Sequence, residues 1–274
     1  RIAPIIGYEY KESLMPQSVE INFPEAFFDE NGELKENPGF TVSVGNPPWE
    51  AWKPNAEEFF EVYDKRYRNA KSPMKEKIRE EIFEKFPFVK TEWKRRQGYY
   101  EAGSQYFLHN GFYDFQKLKI NGRFTGSDIN LYKISTERNY QILQDKGICG
   151  FLVPSNLYTD KGSAGLRKML FNNTELREIA GFENRKKIFP DVHRSYKFAV
   201  LIFKKGGVTS KFRAFFYKQT LDALHNPNQF MDITLDMIKK MSPETLSVME
   251  FRDKIEVDIV EEIIRFPLLY EKID

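Results

Sequence analysis

Phe40-Thr41-Val42-Ser43-Val44-Gly45-Asn46-Pro47-Pro48-Trp49 is the stretch on which the reading of this chain turns. The β-branched residues and apolar alternation of 40–44 predict a strand. The strand must end at Pro47, because two successive prolines have no amide hydrogens to give a ladder. Gly45 admits a backbone shape that other residues resist. The product is a stiff turn at the carboxyl end of a strand, tipped by an amide side chain and an indole. In an open α/β sheet that edge is where ligands bind.

The turn suits one kind of chemistry. An exocyclic amine on a base or amide is a poor nucleophile because its lone pair is delocalised, and two acceptors aimed at its hydrogens would localise that pair. Asn46 offers a side-chain carbonyl, and Pro47 a main-chain carbonyl stiffened by the ring of Pro48. Trp49 offers a flat surface for a planar substrate, worth ~1–3 kcal/mol per stacked base. No proton has to be removed first, so no His or Cys is required. A plain Pro-rich turn with a core tryptophan would carry the same letters, and from the tetrapeptide alone both readings stand.

Working outward, Val19–Phe23 alternates like a short strand. Residues 57–70 read as a helix through Phe59, Phe60, Tyr63 and Tyr67. A second helix is expected with Ser72 as N-cap, Pro73 as first helical residue, and Met74, Ile78, Ile82 and Phe86 on one face. Lys90-Thr91-Glu92-Trp93-Lys94-Arg95-Arg96, with Tyr99 and Tyr100 behind, interleaves cations and aromatics. That suits a phosphate backbone and unstacked bases, although a solvated helix face with one buried Trp is the commoner source of such a pattern. Gly98, Gly103, Gly111, Gly122 and Gly126 predict loops.

Farther along, 128–146 is helical in texture, with Gly147 as the residue that stops it. The apolar run 148–153 predicts a buried strand, with Pro154-Ser155-Asn156 at its end. A helix over 162–172 and strands over 176–182 and 197–203 follow, and Gly206-Gly207 breaks the pattern. Between the last two strands, Arg185, Lys186, Lys187 and Arg194 face one acid, Asp191, in a basic loop fit for phosphate contact. Ile255–Ile264 is amphipathic. Strand and helix alternation implies a doubly wound, mostly parallel α/β sheet.

Asn46-Pro47-Pro48-Trp49 resembles the Asn-Pro-Pro-aromatic signature of S-adenosylmethionine-dependent amino-methyltransferases. Three further stretches resemble adenine-specific DNA methyltransferases of restriction–modification or phage-defence type: Phe23–Phe28 with Gly39-Phe40, Asp128–Tyr132 with Gly150–Asn156, and Lys187–His193 with Lys197–Phe203. The resemblance implies a Rossmann-like methyltransferase core over 1–206, with a largely helical insertion at 53–127. Residues 207–274 are then expected as a helical connection toward a target-recognition region. It implies a transferase in which Asn46, Pro47, Pro48 and Trp49 are catalytic and Trp49 and Phe189 sandwich a flipped adenine. Asn22, Phe23 and Pro48 would touch the cofactor, S-adenosylmethionine. Lys94, Arg95, Arg96, Arg185, Lys186, Lys187 and Arg194 would touch DNA. Double-stranded DNA is the implied partner, with a fused or associated nuclease, in a prokaryotic cytoplasm.

Two features depart from that pattern. No strand–Gly-x-Gly–helix unit precedes Asn46, which places the main cofactor motif upstream of Arg1, and the start Arg1-Ile2-Ala3-Pro4 reads as the start of a piece. Gly162-Ser163-Ala164-Gly165 is a helix start rather than a cofactor loop. Ser135 stands where relatives often carry an aromatic. Two other readings share the motif: a methyltransferase for protein glutamine or RNA, and a module that only binds DNA.

Composition sets outer bounds. The 274 residues are 41% apolar with a net charge of +2, so any basic footprint is local. The single Cys149 makes no internal disulfide and fits a reducing compartment. His109, His193 and His225 are too dispersed for a zinc site, so no metal is expected. No apolar run nears the ~18 residues of a membrane helix.

Overall fold

The computed structural model describes residues 18–116, 119–120, 123–124 and 128–266. The first 17 residues, Gly122 and Gly126 lie outside them. The chain divides into two compact units, one formed by 51–112 and one by 18–50 with 113–266.

In the smaller unit α3 (Ala56–Glu61), α4 (Arg66–Asn69), α5 (Ser72–Lys85) and α6 (Pro87–His109) follow α1 (Val19–Asn22) and α2 (Pro24–Phe27) of the larger one. Its core is Phe59, Phe60, Tyr67, Ile78, Ile82, Val89 and Trp93, largely the residues whose spacing predicted a buried helix face. Met74, expected on that face, is half exposed. The helix expected over 57–70 is broken in two: Asn55 caps α3 by accepting from the Glu58 amide, and Asp64 accepts from the Arg66 amide to start α4. Ser72 is already helical, and Lys71 holds the N-cap position. Gly98 and Gly103 lie inside α6 rather than in loops. At Gly103 a Cβ would come within 2.7 Å of the Trp52 indole, so the glycine admits that ring. Gly98 meets nothing, and the helix carries it at roughly 1 kcal/mol relative to alanine.

The larger unit is a six-stranded mixed sheet with helices. A two-residue ribbon, β2 (Lys119–Ile120) with β3 (Arg123–Phe124), stands apart from it. The strands of the sheet are β1 (Phe40–Gly45), β4 (Leu143–Pro154), β5 (Thr174–Glu183), β6 (Lys197–Lys205), β7 (Lys211–Lys218) and β8 (Met231–Thr234), in the order β1-β4-β6-β5-β7-β8. β1, β4, β5 and β7 share one direction, and β6 and β8 run against it. The α/β character and the common direction of most strands agree with the sequence reading, while three of the five pairings are antiparallel. The reason lies in the connection from β5 to β6. It is a loop without a crossover helix, and such a link returns the chain antiparallel.

Other departures have local causes. Val19–Asn22 is a helical turn, not a strand. The helix expected to run to Lys146 is α7 (Leu131–Ile142), and β4 begins directly after it. Gly147 therefore stops no helix. It lies in β4, where a Cβ would sit 2.7 Å from the Phe40 carbonyl oxygen, so it lets β1 approach. Past 207 the chain does not form a helical connection: β7 and β8 extend the sheet before α10 (Leu235–Met241) and α11 (Lys254–Ile263). Two intervening helices, α8 (Asn156–Thr159) and α9 (Ala164–Asn172), follow β4.

Alternation along β6 sorts the core. Ala199, Leu201 and Phe203 face one cluster, with Cys149, Phe151, Val153, Leu166 and Leu170. Phe198 and Val200 face another, built on Phe182 and Phe215, and Trp49 and Phe189 pack against it. Cys149 is wholly buried, and burial pushes its thiol far above the usual range. Among the described residues β1 and β8 are the two edges of the sheet, and Val42 and Val44 on β1 are 56% and 81% exposed. Among the described residues no helix is long and apolar enough to cross a membrane, and no cluster of three metal-ligating side chains occurs.

Candidate functional site

β1 and β4 are parallel neighbours, with Gly45 paired to Phe151. A Cβ on Gly45 would meet the Phe151 ring at 3.1 Å, so the strand needs its glycine to end beside β4. The turn that follows presents Asn46 and Pro48 to solvent and buries Pro47. Trp49 is half-buried. Its Nε1 donates to the Leu152 carbonyl (3.3 Å), and its ring stacks on Tyr196 at 5.4 Å and 9°, with Phe198 at 6.3 Å. The Leu131 amide donates to the Glu50 carbonyl (2.9 Å), tying α7 to the residue after Trp49. Across the edge, the Ser155 amide donates to the Lys197 carbonyl (3.1 Å), and Asn156 donates to Asp160 (3.2 Å).

Phe189 meets Phe198 edge-on at 5.0 Å, so the two rings expected to sandwich a base pack on one shared phenylalanine. The loop that carries Phe189 is held by Asn184, which is fully buried. Its Oδ1 accepts from the Phe189 amide (2.9 Å), and its Nδ2 donates to the carbonyls of Phe189 (2.9 Å) and Val192 (2.8 Å). Sequence reading missed Asn184. An Asn at the end of a strand before a basic loop is a turn-forming signal that could have flagged it. It also missed Tyr196, whose ring covers one face of Trp49 and whose hydroxyl burial holds above the usual range.

Two cavities flank the motif. One, of about 370 Å³, is lined by Trp49, Lys133, Asn156, Asp160 and Tyr196 among others. The other, of about 400 Å³, is lined by Asn46, Pro47, Ser135, Arg138, Asn139 and Phe151 among others. A larger cleft of about 990 Å³ around Phe28 and Asn31 shares no residue with the motif. In the second cavity wall Asn139 is buried. Its Nδ2 donates to Ser43 (2.7 Å), and its Oδ1 has no partner. That spare acceptor beside Asn46 fits a ligand with N–H donors, as S-adenosylmethionine has. Arg138 is held by Glu20 at 2.5 Å. Among the described residues no Gly-rich turn after a strand completes such a site.

The remaining expected residues are dispersed. Asn22 and Phe23 are exposed, Phe23 lying edge-on to Phe40, and neither they nor Pro48 lines either cavity. Arg185, Lys186, Lys187 and Arg194 are exposed on the 184–196 loop, with Arg185 paired to Glu183 at 2.6 Å. In the smaller unit, on α6, Lys94 is exposed, Arg95 pairs with Glu92 (2.7 Å) and Arg96 lies over the Phe59 ring.

The Eco57I restriction-modification methylase family matches residues 87–189. A search of curated proteins finds no match. Among solved structures, the type I restriction enzyme EcoKI M protein is 12% identical, over 55% of this chain and 45% of that one, with a TM-score of 0.36. The type I methyltransferase subunit from Streptococcus thermophilus is 16% identical, over 55% and 35%, with a TM-score of 0.39. A nuclease-deletion mutant of the type ISP enzyme LlaGI, in complex with a DNA substrate mimic, is 16% identical, over 80% and 19%, with a TM-score of 0.41. The chain spans less than half the length of each of these structures. Two of the sequence blocks, Asp128–Tyr132 and Gly150–Asn156, fall inside the family match, and over residues 87–189 this chain is similar to the Eco57I restriction-modification methylases.

Proposed function

We propose that this protein is a DNA methyltransferase of a restriction–modification system, methylating the exocyclic amine of an adenine flipped from the duplex. One observation carries the reading: Asn46-Pro47-Pro48-Trp49 forms the turn at the carboxyl end of β1, beside β4, with Trp49 in a cavity wall. Base-modifying enzymes must take the target out of the stack. Asn46 Oδ1 and the Pro47 carbonyl accept the two amine hydrogens, and Trp49 with Phe189 orients the ring. When bound, S-adenosylmethionine supplies a methyl group on a sulfonium. The cavity of Pro47, Arg138 and Asn139 is the part of this chain suited to hold it. The chain's own contribution is then mainly positioning, which can lower a barrier by roughly 7–11 kcal/mol. The basic loop at 185–187 and 194, and Lys94, Arg95 and Arg96, are the proposed phosphate contacts.

The test is transfer of a labelled methyl group to duplex DNA by the full-length protein, with Asn46→Ala alongside. Transfer should be abolished in the variant while its circular dichroism is unchanged. Near-normal transfer by Asn46→Ala would remove the amine-acceptor mechanism, and no transfer by the wild type would remove the activity.

A further inference from the structure

The cavity beside Trp49 has a cation in its wall that nothing above uses. Lys133 follows Tyr132 on α7 and is 4% exposed. Its Nζ donates to the Gly162 carbonyl at 3.1 Å and lies 6.0 Å from the Tyr132 ring centroid. An ammonium carries three donors, and a buried charge is costly unless well supplied with partners. No second hydrogen bond from Nζ is present among the described residues. Burial pushes this ammonium below the usual lysine range, while Asp160 and Asp128 pull it back and Arg167 adds to the push.

The charges around it decide what it can hold. Among the described residues Asp160 and Asp128 line the same cavity as Lys133, and Asn130 and Asn156 are neutral. A phosphate group would meet a rim of its own sign. A neutral planar heterocycle would meet a stacking wall in Trp49 and a spare N–H donor in Lys133.

We propose that Lys133 reads the target base, donating a hydrogen bond to the ring nitrogen next to the exocyclic amine (N1 of adenine) in the heterocycle held against Trp49. This rests on the methyltransferase reading and adds to it a group that selects the base. Adenine and cytosine carry an unprotonated ring nitrogen next to the exocyclic amine. Guanine and thymine carry an N–H at the corresponding place, which an ammonium cannot pair with. Lys133 therefore favours amino bases and rejects lactam bases, a task that Asn46 and Pro47 leave half done.

The experiment uses the full-length protein and the duplex whose methylated adenine has been mapped by sequencing. Single-turnover methyl transfer is measured on four versions of that duplex, with adenine, 1-deaza-, 3-deaza- or 7-deazaadenine at the target. The wild type should lose about ten- to hundredfold on 1-deazaadenine alone, the size expected for one hydrogen bond from a charged donor. Lys133→Met keeps the aliphatic stem and lacks the donors, so it should be slower on adenine and show no such penalty for that analogue. Any intrinsic effect of the deaza substitution on the amine is common to both proteins and drops out of the comparison. A 1-deaza penalty equal in wild type and Lys133→Met, or no penalty with 1-deazaadenine, overturns the assignment while leaving the methyltransferase reading intact. Should Lys133→Met fail to fold, equal transfer to all four duplexes by the wild type still overturns it. Absence of transfer to every duplex fells both readings together.

Discussion

Replacing Asn184 by alanine tests how the loop bearing Phe189 is held. The side chain is fully buried and makes three hydrogen bonds to the loop backbone, of 2.8–2.9 Å. Truncation leaves one N–H and two carbonyls to find other partners, each worth about 1–3 kcal/mol if left buried and unpaired. Phe189 is only half-buried, so water reaches part of the gap. The expected loss is therefore about 2–4 kcal/mol, a large share of the ~5–15 kcal/mol that holds a typical domain together. Urea unfolding gives the loss directly, and amide hydrogen exchange at Phe189 gives its location. Asn184→Asp sharpens the test. It keeps the acceptor for the Phe189 amide and sets a carboxylate against two carbonyls, which raises the folded-state pKa above the unfolded one. Its stability should thus recover as pH falls through that raised pKa and be poorest near neutrality. A loss below about 0.5 kcal/mol in Asn184→Ala, with exchange at Phe189 unchanged, would refute the reasoning and leave the loop held by its aromatic contacts.

Trp49→Ala removes a stack on Tyr196 and a hydrogen bond to Leu152, so it should cost about 1–3 kcal/mol of stability as well as methyl transfer. Trp49→Tyr should retain much of the transfer, and unaltered methylation by the Ala variant would assign Trp49 to packing alone. Titration calorimetry of the 274-residue chain with S-adenosylmethionine should give binding weaker than about 1 μM, or −8 kcal/mol. Tighter binding would mean that the residues of the Asn46 cavity suffice without a Gly-rich turn. Burial raises the Tyr132 hydroxyl to about 12 and pushes that of Tyr158 well above the usual range. Both stay protonated in the fold while unfolded tyrosine ionises near 10, so stability should fall as pH rises from 10 to 12. A melting temperature flat across that window would contradict their burial.

What could be read from the residues had a short-range physical cause. The strand 40–44 and its stop at Pro47 follow from pattern and proline stereochemistry, and the apolar run 148–153 from double-sided burial. The apolar faces of α3, α4 and α5 follow from spacings of three and four. What could not be read depends on partners distant in sequence. Gly103 and Gly147 look like punctuation until Trp52 and the Phe40 carbonyl are found against them. The antiparallel course of β6 was open to inference from the missing helix between 183 and 197. The strands at 211–218 and 231–234 alternate well enough to have been predicted, but the prolines around them drew attention to breaks. At the site, Asn46 and Trp49 announced themselves by motif. Lys133, Asn184 and Tyr196 are ordinary letters whose meaning comes from burial and from which carbonyl or ring lies opposite.

Among the described residues β1 is paired on one side only, by β4, and that has a consequence. A strand with one side unmatched offers a row of amide and carbonyl groups to any passing strand, and natural edges are commonly blunted with lysine, proline or a bulge. Phe40-Thr41-Val42-Ser43-Val44-Gly45 carries no charge at all, and two of its valines stand in solvent. Among the described residues that side is open to a further strand, from this protein or from another copy, and a copy would adhere there by backbone ladders alone. The same uncharged strand leads into Asn46, so whatever pairs with it lies against the element that presents the motif. A charged gatekeeper at position 42 or 44 is the change by which such adhesion is kept in check.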